Sequence, residues 1–235
     1  MIDFHAHVLP CIDDGPSSIE EALEILKMLK KQGVDKVVAT PHYNDRIMDI
    51  EEFIFKRRKS YNELIEAIDI HNIPVPEIIV GAEVFFAYEL ILNDGLEKLC
   101  IGKTRCLLIE IPEGLWFDWI CDLTDKLLDR NITLVIAHFE RYAAAYKNLD
   151  RFEKIFEKNI YFQVNADSFL NKGFLRIIKK LDRQNAIHLI GSDAHNTKER
   201  SPKMDDAREK IIKKFGPDKW EYFNITAKKL LDIGD

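Results

Sequence analysis

The 235-residue chain carries 46% hydrophobic and 31% charged residues, a net charge of −6 and a pI near 5.7. This is the balance of a globular protein large enough for one α/β core. It argues against nucleic acid as a partner, because phosphate-backbone binding rests on clustered Lys and Arg. Four cysteines (Cys11, Cys100, Cys106, Cys121) show neither disulfide nor Cys-x-x-Cys spacing, and no apolar run is long enough for a bilayer. A single domain over residues 1–235 in the cytoplasm, with no leader and no direct membrane insertion, is the expectation.

The first seven residues, Met1-Ile2-Asp3-Phe4-His5-Ala6-His7, read as a strand ending in His-x-His. Alternate residues of a strand project to one side, so His5 and His7 can present two imidazoles to one point. Asp13 and Asp14 follow on a turn closed by Gly15-Pro16. Ser18 and Glu21 form an expected capping box, and Ala22, Ile25, Leu26 and Leu29 repeat with a helical period until Gly33. Val34 to Thr40 is the second strand, ending at Pro41-His42.

A charged helix over 50–71 is broken by Pro74 and Pro76. Strand three, 77–83, ends in Glu83; residues 86–99 look helical; strand four, 106–110, ends in Glu110. An amphipathic helix over 115–130 precedes strand five, 132–138, which ends in His138 and runs into Phe139-Glu140-Arg141. Helix 149–158, strand 160–165, helix 170–183 and strand 186–191 follow, the last running into Ser192-Asp193-Ala194-His195. The tail 203–233 is helical with a break at Gly216-Pro217.

Strict β/α alternation implies a parallel sheet. Ligand-type side chains close strands one to five and seven. A barrel gathers every strand's carboxyl end on one face, whereas an open sheet would scatter them along an edge. A barrel of seven strands is therefore expected.

Its mouth would collect His5, His7, Asp14 or Asp13, His42, Glu83, Glu110, His138, Asp193 and His195, which include five of the seven histidines. Imidazole and carboxylate donors without thiolate exclude a zinc-finger-like site and suit two or three divalent cations, such as Mn, Fe or catalytic Zn. Clustered cations activate water and clamp phosphoryl oxygens. No Cys-x5-Arg loop supports a cysteinyl-phosphate route. Arg141 and Arg200 have the forked donors that bind phosphate, although Arg141 could instead neutralise Glu110 or Glu140, and Arg200 belongs to an ordinary charged run. His71 and His188 read as structural. Trp116, Phe117 and Trp119 fit a core as well as a substrate groove.

Asp3-x-His5-x-His7, Pro41-His42, Gly81-Ala82-Glu83, Ala137-His138 and Ser192-Asp193-Ala194-His195 resemble the motifs of the polymerase-and-histidinol-phosphatase (PHP) superfamily. Ile2 to Pro10, Asp13-Asp14-Gly15, Leu108-Ile109-Glu110, Val135 to Arg141 and Gly191 to Asn196 are similar to its manganese-dependent protein-tyrosine phosphatases of bacterial capsule and exopolysaccharide operons. The resemblance spans nearly the whole chain. It implies a distorted (β/α)7 TIM-like barrel of the PHP fold and three divalent metal ions. It also implies hydrolysis of phosphotyrosine on a protein, such as a bacterial tyrosine kinase tail.

By that resemblance His5, His7, Glu83 and Asp193 hold one ion; a bridging Glu83, Glu110 and His138 hold a second; Asp14, His42 and His195 hold a third. Asp14 is preferred to Asp13 on the same ground. Arg141 and Arg200 would bind phosphate, and His42 or His195 would protonate the leaving phenolate. Cys11 and Phe139 depart from the family pattern without removing a ligand. The competing readings are another PHP phosphoesterase, such as histidinol-phosphate phosphatase, and a non-enzymatic metal-bound scaffold.

Overall fold

The computed structural model describes residues 1–92, 94–112, 118–146 and 149–233. Strands and helices alternate along it: β1 (Ile2–Ala6), α1 (Ile19–Lys31), β2 (Lys36–Ala39), β3 (His42–Tyr43), α2 (Ile50–His71), β4 (Glu77–Val80), β5 (Glu83–Phe85), β6 (Cys106–Glu110), α3 (Asp118–Asp129), β7 (Thr133–Ile136), α4 (Phe139–Tyr146), α5 (Glu153–Phe156), β8 (Tyr161–Asn165), α6 (Lys172–Arg183), β9 (Leu189–Gly191), α7 (Met204–Phe215) and α8 (Pro217–Leu230). Strand neighbours run β1-β2-β4 in one ladder and β3-β5-β6-β7-β8-β9 in the other, and every pairing is parallel.

The two ladders arise because expected strands two and three are each interrupted. Pro41 has no N–H to donate, so the ladder breaks between β2 and β3. The Thr40 amide closes the β1–β2 ladder on the Ala6 carbonyl at 2.9 Å, and the Glu83 amide reaches Pro41 O at 3.0 Å. Gly81 breaks the neighbouring run between β4 and β5. A Cβ there would stand 2.8 Å from Ile101 Cγ1, so only glycine admits Ile101.

The sheet curls until the segment after β9 meets β1. The Asp193 amide donates to His5 O at 2.8 Å, and the His7 amide donates to Ala194 O at 2.9 Å.

Two apolar layers follow from the period of two along each strand. Outward residues such as Val37, Val84, Leu107, Ile109, Leu134 and Ile136 pack under the helices. Inward residues, among them Ile2, Phe4, Val38, Leu108, Val135 and Leu189, form a smaller inner cluster with Ala227 and Leu231 at and just past the end of α8. On β6 the inward series continues from Cys106 and Leu108 to Glu110, so a wholly apolar strand delivers a carboxylate at its carboxyl end.

Several local expectations change. In place of the one helix expected over 86–99, the described residues form two 3-10 turns, Tyr88–Leu92 and Leu96–Leu99. An additional helix, α4, starts directly at Phe139. Strand seven is confined to Leu189–Gly191 because the Phe162 amide bonds the His188 side chain rather than a backbone carbonyl. In the expected capping box Ser18 Oγ accepts the Glu21 amide at 3.2 Å, but the Glu21 carboxylate bonds the Ser17 amide at 2.9 Å instead of that of Ser18. Of the aromatic trio, Trp119 stacks on Phe86 with ring centroids 5.9 Å apart; Trp116 and Phe117 lie outside the described residues.

Candidate metal centre

All nine expected ligands converge at the carboxyl ends of the strands. Glu83, the first residue of β5, is their hub. Its Oε2 lies 3.1 Å from His5 Nε2, 3.1 Å from His7 Nε2 and 3.3 Å from His42 Nδ1. Its Oε1 lies 3.0 Å from His138 Nε2. Glu110 Oε1 approaches His138 Nε2 at 3.4 Å. Asp193 Oδ1 is 3.7 Å from His5 Nε2 and 3.8 Å from His7 Nε2. Asp14 Oδ1 is 3.3 Å from His195 Nε2 and 3.5 Å from His42 Nε2.

Three groups have mutually close donor atoms, all within 4.8 Å of one another: His5, His7 and Asp193; His42, Glu83 and Glu110; and His7, Asp14, His42 and His195. They overlap the three expected ligand sets. The differences are that Glu83 falls only in the second group and not in the first, His7 also joins the third, His42 joins the second, and His138 lies outside the second but contacts its Glu83 and Glu110.

The donor chemistry fits cations. His5 Nδ1 faces the Gln163 carboxamide oxygen at 3.1 Å, and His7 Nδ1 faces Asp13 Oδ2 at 2.7 Å. Each acceptor fixes a proton on Nδ1 and leaves Nε2 as a lone pair aimed into the centre. The two Nε2 atoms are 3.2 Å apart and share Glu83 Oε2, an arrangement that repels itself unless something positive sits among them. His195 Nδ1 bonds Asp193 O at 2.9 Å, and its buried Nε2 has no hydrogen-bond partner, as a ligand atom would.

Electrostatics carry the same signature. Burial opposes charge on His7, but Asp13 and Glu83 outweigh it and raise its pKa to about 10. For His138 burial again opposes, and Glu110 and Glu83 raise it to about 10. Burial alone would raise Glu83, yet the surrounding imidazoles hold it well below the usual carboxylate range. Burial and the neighbouring His7 charge push His195 down to about 3. The carboxylates thus draw His7 and His138 toward the charged form, and a cation bound there would compete with those protons.

Asp13 and Asp14 divide their work. Asp13 Oδ2 supports His7 and accepts the His42 amide at 3.0 Å, while Asp14 faces His42 and His195. Arg141 Nη2 pairs with Asp193 Oδ2 at 2.7 Å, not with Glu110 or Glu140. Arg200 is drawn into the mouth: Nη1 meets Asp14 Oδ2 at 3.2 Å and Nη2 meets Asp193 Oδ1 at 3.1 Å. Its loop is tied down by Asn196 Oδ1, which accepts the amides of Lys198 and Arg200. Both His138 and Asp193 have left-handed backbones, with φ of 34° and 52°, a strain that local bonds sustain: the His138 amide donates to Gln163 Oε1 at 2.8 Å and the Asp193 amide to His5 O.

Sequence reasoning passed over Gln163 and Asn165, and it quoted Asp3 in a motif without giving it a role. Gln163 supports His5 and His138 at once, and Asn165 Nδ2 donates to Asp193 Oδ2 at 2.8 Å. Asp3 Oδ1 accepts the Ser192 amide at 2.7 Å and fastens β1 to the segment after β9. The signal for the first two is two amides at period two in β8, a strand otherwise apolar along its buried length, where each must find partners.

Comparison with known proteins agrees with this geometry. The family model of capsular polysaccharide synthesis proteins, CpsB/CapC, matches residues 1–232. The tyrosine-protein phosphatase CpsB of Streptococcus pneumoniae is 29% identical, with 98% of each chain covered. The putative tyrosine-protein phosphatase CapC of Staphylococcus aureus is 32% identical, over 83% of this chain and 77% of its own. A crystal structure from the work on Bacillus subtilis YwqE and S. pneumoniae CpsB, described as unique metal-dependent tyrosine phosphatases, superposes with a TM-score of 0.89 at 27% identity, covering 100% of this chain and 96% of that one. An amidohydrolase at 12% identity and TM-score 0.59 shares the fold alone. The chain belongs to the CpsB/CapC family of capsular polysaccharide synthesis proteins.

Proposed function

We propose that this chain is a metal-dependent phosphatase that hydrolyses phosphotyrosine on proteins, its substrate being the tail of a bacterial tyrosine kinase that governs capsule or exopolysaccharide synthesis. The observation that carries the reading is Glu83, whose two oxygens meet four imidazoles from β1, β3 and the end of β7. A buried carboxylate with that many nitrogen neighbours is suited to bridge cations.

His5, His7, Glu83 and Asp193 would hold one divalent ion, Glu83, Glu110 and His138 a second, and Asp14, His42 and His195 a third. Mn²⁺ is the first choice, with Fe and Zn as alternatives. Bound there, such ions supply Lewis acidity toward phosphoryl oxygens and a water acidified toward neutrality. Among the protein groups, Gln163 and Asp13 hold the imidazoles of His5 and His7 in the required tautomer. Arg141 and Arg200 now neutralise Asp193 and Asp14; once cations take over that role, their guanidinium groups are free to grip the phosphate. His42 lies at the half-open rim, where a leaving phenolate would depart, and as a ligand it would hold the third ion there.

Counting β2 with β3 and β4 with β5 as single interrupted strands, the curled sheet reads as a distorted (β/α)7 barrel forming one catalytic domain. Among the described residues no helix is long and apolar enough to cross a membrane, in keeping with work in the cytoplasm on a kinase tail.

The test is turnover of p-nitrophenyl phosphate, a phosphotyrosine peptide and histidinol phosphate, each with Mn²⁺ and with EDTA. Manganese-dependent hydrolysis of the first two is expected. Hydrolysis of histidinol phosphate alone would overturn the reading, and metal binding without any turnover would mark a scaffold.

A further inference from the structure

Beside the charged centre lies an apolar surface that metal binding does not explain. A cavity of about 400 Å³ is lined by Asp14, His42 and Glu110 together with Ile47 and Phe85. A second cavity, of about 460 Å³, is walled by Phe85, Phe86, Tyr88 and Trp119, so the two spaces share Phe85. Ile47 is 75% exposed and Tyr88 52%. Exposing such side chains next to a ring of carboxylates and imidazoles forgoes burial that a nearby apolar ligand group would restore.

The backbone shows these positions to be built. Val84 belongs to the outer core, so Glu83 and Phe85 share the opposite face of β5, with Phe85 roughly 6–7 Å farther toward the mouth. Ile47 is held by a turn in which Asn44 O accepts the amides of Ile47 and Met48 and Asn44 Oδ1 accepts that of Arg46. The Arg46 guanidinium lies 6.0 Å from the Phe85 ring centroid and is anchored on Glu89 at 3.3 Å. Phe85 thus stands one strand repeat beyond the carboxylate hub, packed against the Arg46 guanidinium and lining the same cavity as His42 and Glu110.

We infer that Phe85 and Ile47 form an aryl-binding shelf that seats the phenyl ring of an aryl phosphate whose phosphoryl group lies over the metal centre. The shelf makes the site choose aryl over alkyl phosphates. This rests on the phosphatase reading above and adds the feature that sets its substrate class. The ring fits because it is apolar, flat and attached directly to the phosphate. A short alkyl phosphate such as phosphoserine leaves the shelf bare.

The test uses Mn²⁺-loaded enzyme and two non-hydrolysable ligands, phenylphosphonate and methylphosphonate, with affinities read by calorimetry and metal content by elemental analysis. The wild type should bind phenylphosphonate about tenfold more tightly. Phe85→Ala should reduce the preference to about twofold with metal content unchanged, and Phe85→Trp should retain it. Ile47→Ser, at a site too exposed to threaten folding, should lower it severalfold and stands in if Phe85→Ala does not fold. A wild type without the preference, or an Ile47→Ser and a folded Phe85→Ala that both keep it, overturns the shelf. A phosphotyrosine peptide assayed in parallel separates the two ideas. Preference without peptide turnover leaves the shelf standing and sinks the phosphatase reading; turnover without preference does the reverse.

Discussion

The two faces of the inner sheet differ in what their strands deliver. Toward the amino ends, Ile2, Phe4, Val38, Cys106 and Val135 meet Ala227 and Leu231 at and just past the end of α8 in a dry cluster. At the carboxyl ends the same strands turn polar. His5, His7, Glu83, His138, Gln163, Asn165, Asp193 and His195 are all buried, and His138 and Asp193 sit in left-handed backbone. The first region gains by excluding water. The second pays desolvation for groups whose partners are mostly one another. Stability and function are thereby separated along the strand axis, a few residues apart.

The largest effect should come from the hub. Glu83→Gln keeps the shape but removes the charge facing four imidazoles. Phosphotyrosine turnover should fall by at least about 10³-fold, and bound manganese should drop. Retention of activity and metal would end the contrast between the two faces.

A change in the dry cluster should do the opposite. Ile101 is fully buried there, and Ile101→Ala should cost about 2–5 kcal/mol in urea unfolding while kcat in the folded enzyme stays near wild type. A large fall in kcat at unchanged stability would show that the faces are not separable.

Smaller losses should follow from the supports of the imidazoles. Asp13→Asn and Gln163→Leu leave every expected ligand in place but free the tautomers of His7 and His5. Each should lower manganese affinity or activity by about 10–100-fold. Wild-type manganese affinity and kcat in both variants would mean that the tautomers are fixed elsewhere.

These supports also mark where sequence reading stopped. Eight of the nine converging side chains were legible because they end or directly follow apolar strand runs, whereas Asp14 lies on the turn after β1 and was preferred to Asp13 only through the family resemblance. The arginines' partners were not legible. Arg141 meets Asp193, 52 residues away, and Arg200 meets Asp14, 186 residues away, and only the curl of the sheet sets those distances. The interruptions at Pro41 and Gly81 were written in the residues but depend on which neighbour takes the freed bonds. Helix α4 escaped notice because His138 serves two purposes, closing a strand and, through its left-handed φ, turning at once into Phe139. The 3-10 turns of 88–99 carry a helical pattern that Gly95 divides.

The smallest expected effect lies away from the mouth and tests whether pH acts on the frame as well as the centre. His188 precedes β9; its Nδ1 accepts the Phe162 amide at 3.0 Å, and its ring stacks on Phe162 at 5.5 Å. Burial, with the nearby Lys219 charge, lowers its pKa to about 4 from an ordinary 6.5. The folded state therefore binds fewer protons than the unfolded chain between those values. The stability is complete above the unfolded pKa and is lost as pH falls from 6.5 toward 4. From pH 7.5 to pH 5 this single group should remove about 2 kcal/mol. His188→Asn keeps an acceptor for the Phe162 amide and cannot titrate. Its urea-unfolding free energy, measured across that range, should fall by that much less than the wild type's, because the carboxylates and the metal centre contribute equally to both. Parallel curves would show that His188 is protonated in place without cost, and that acid acts on this protein through the mouth alone.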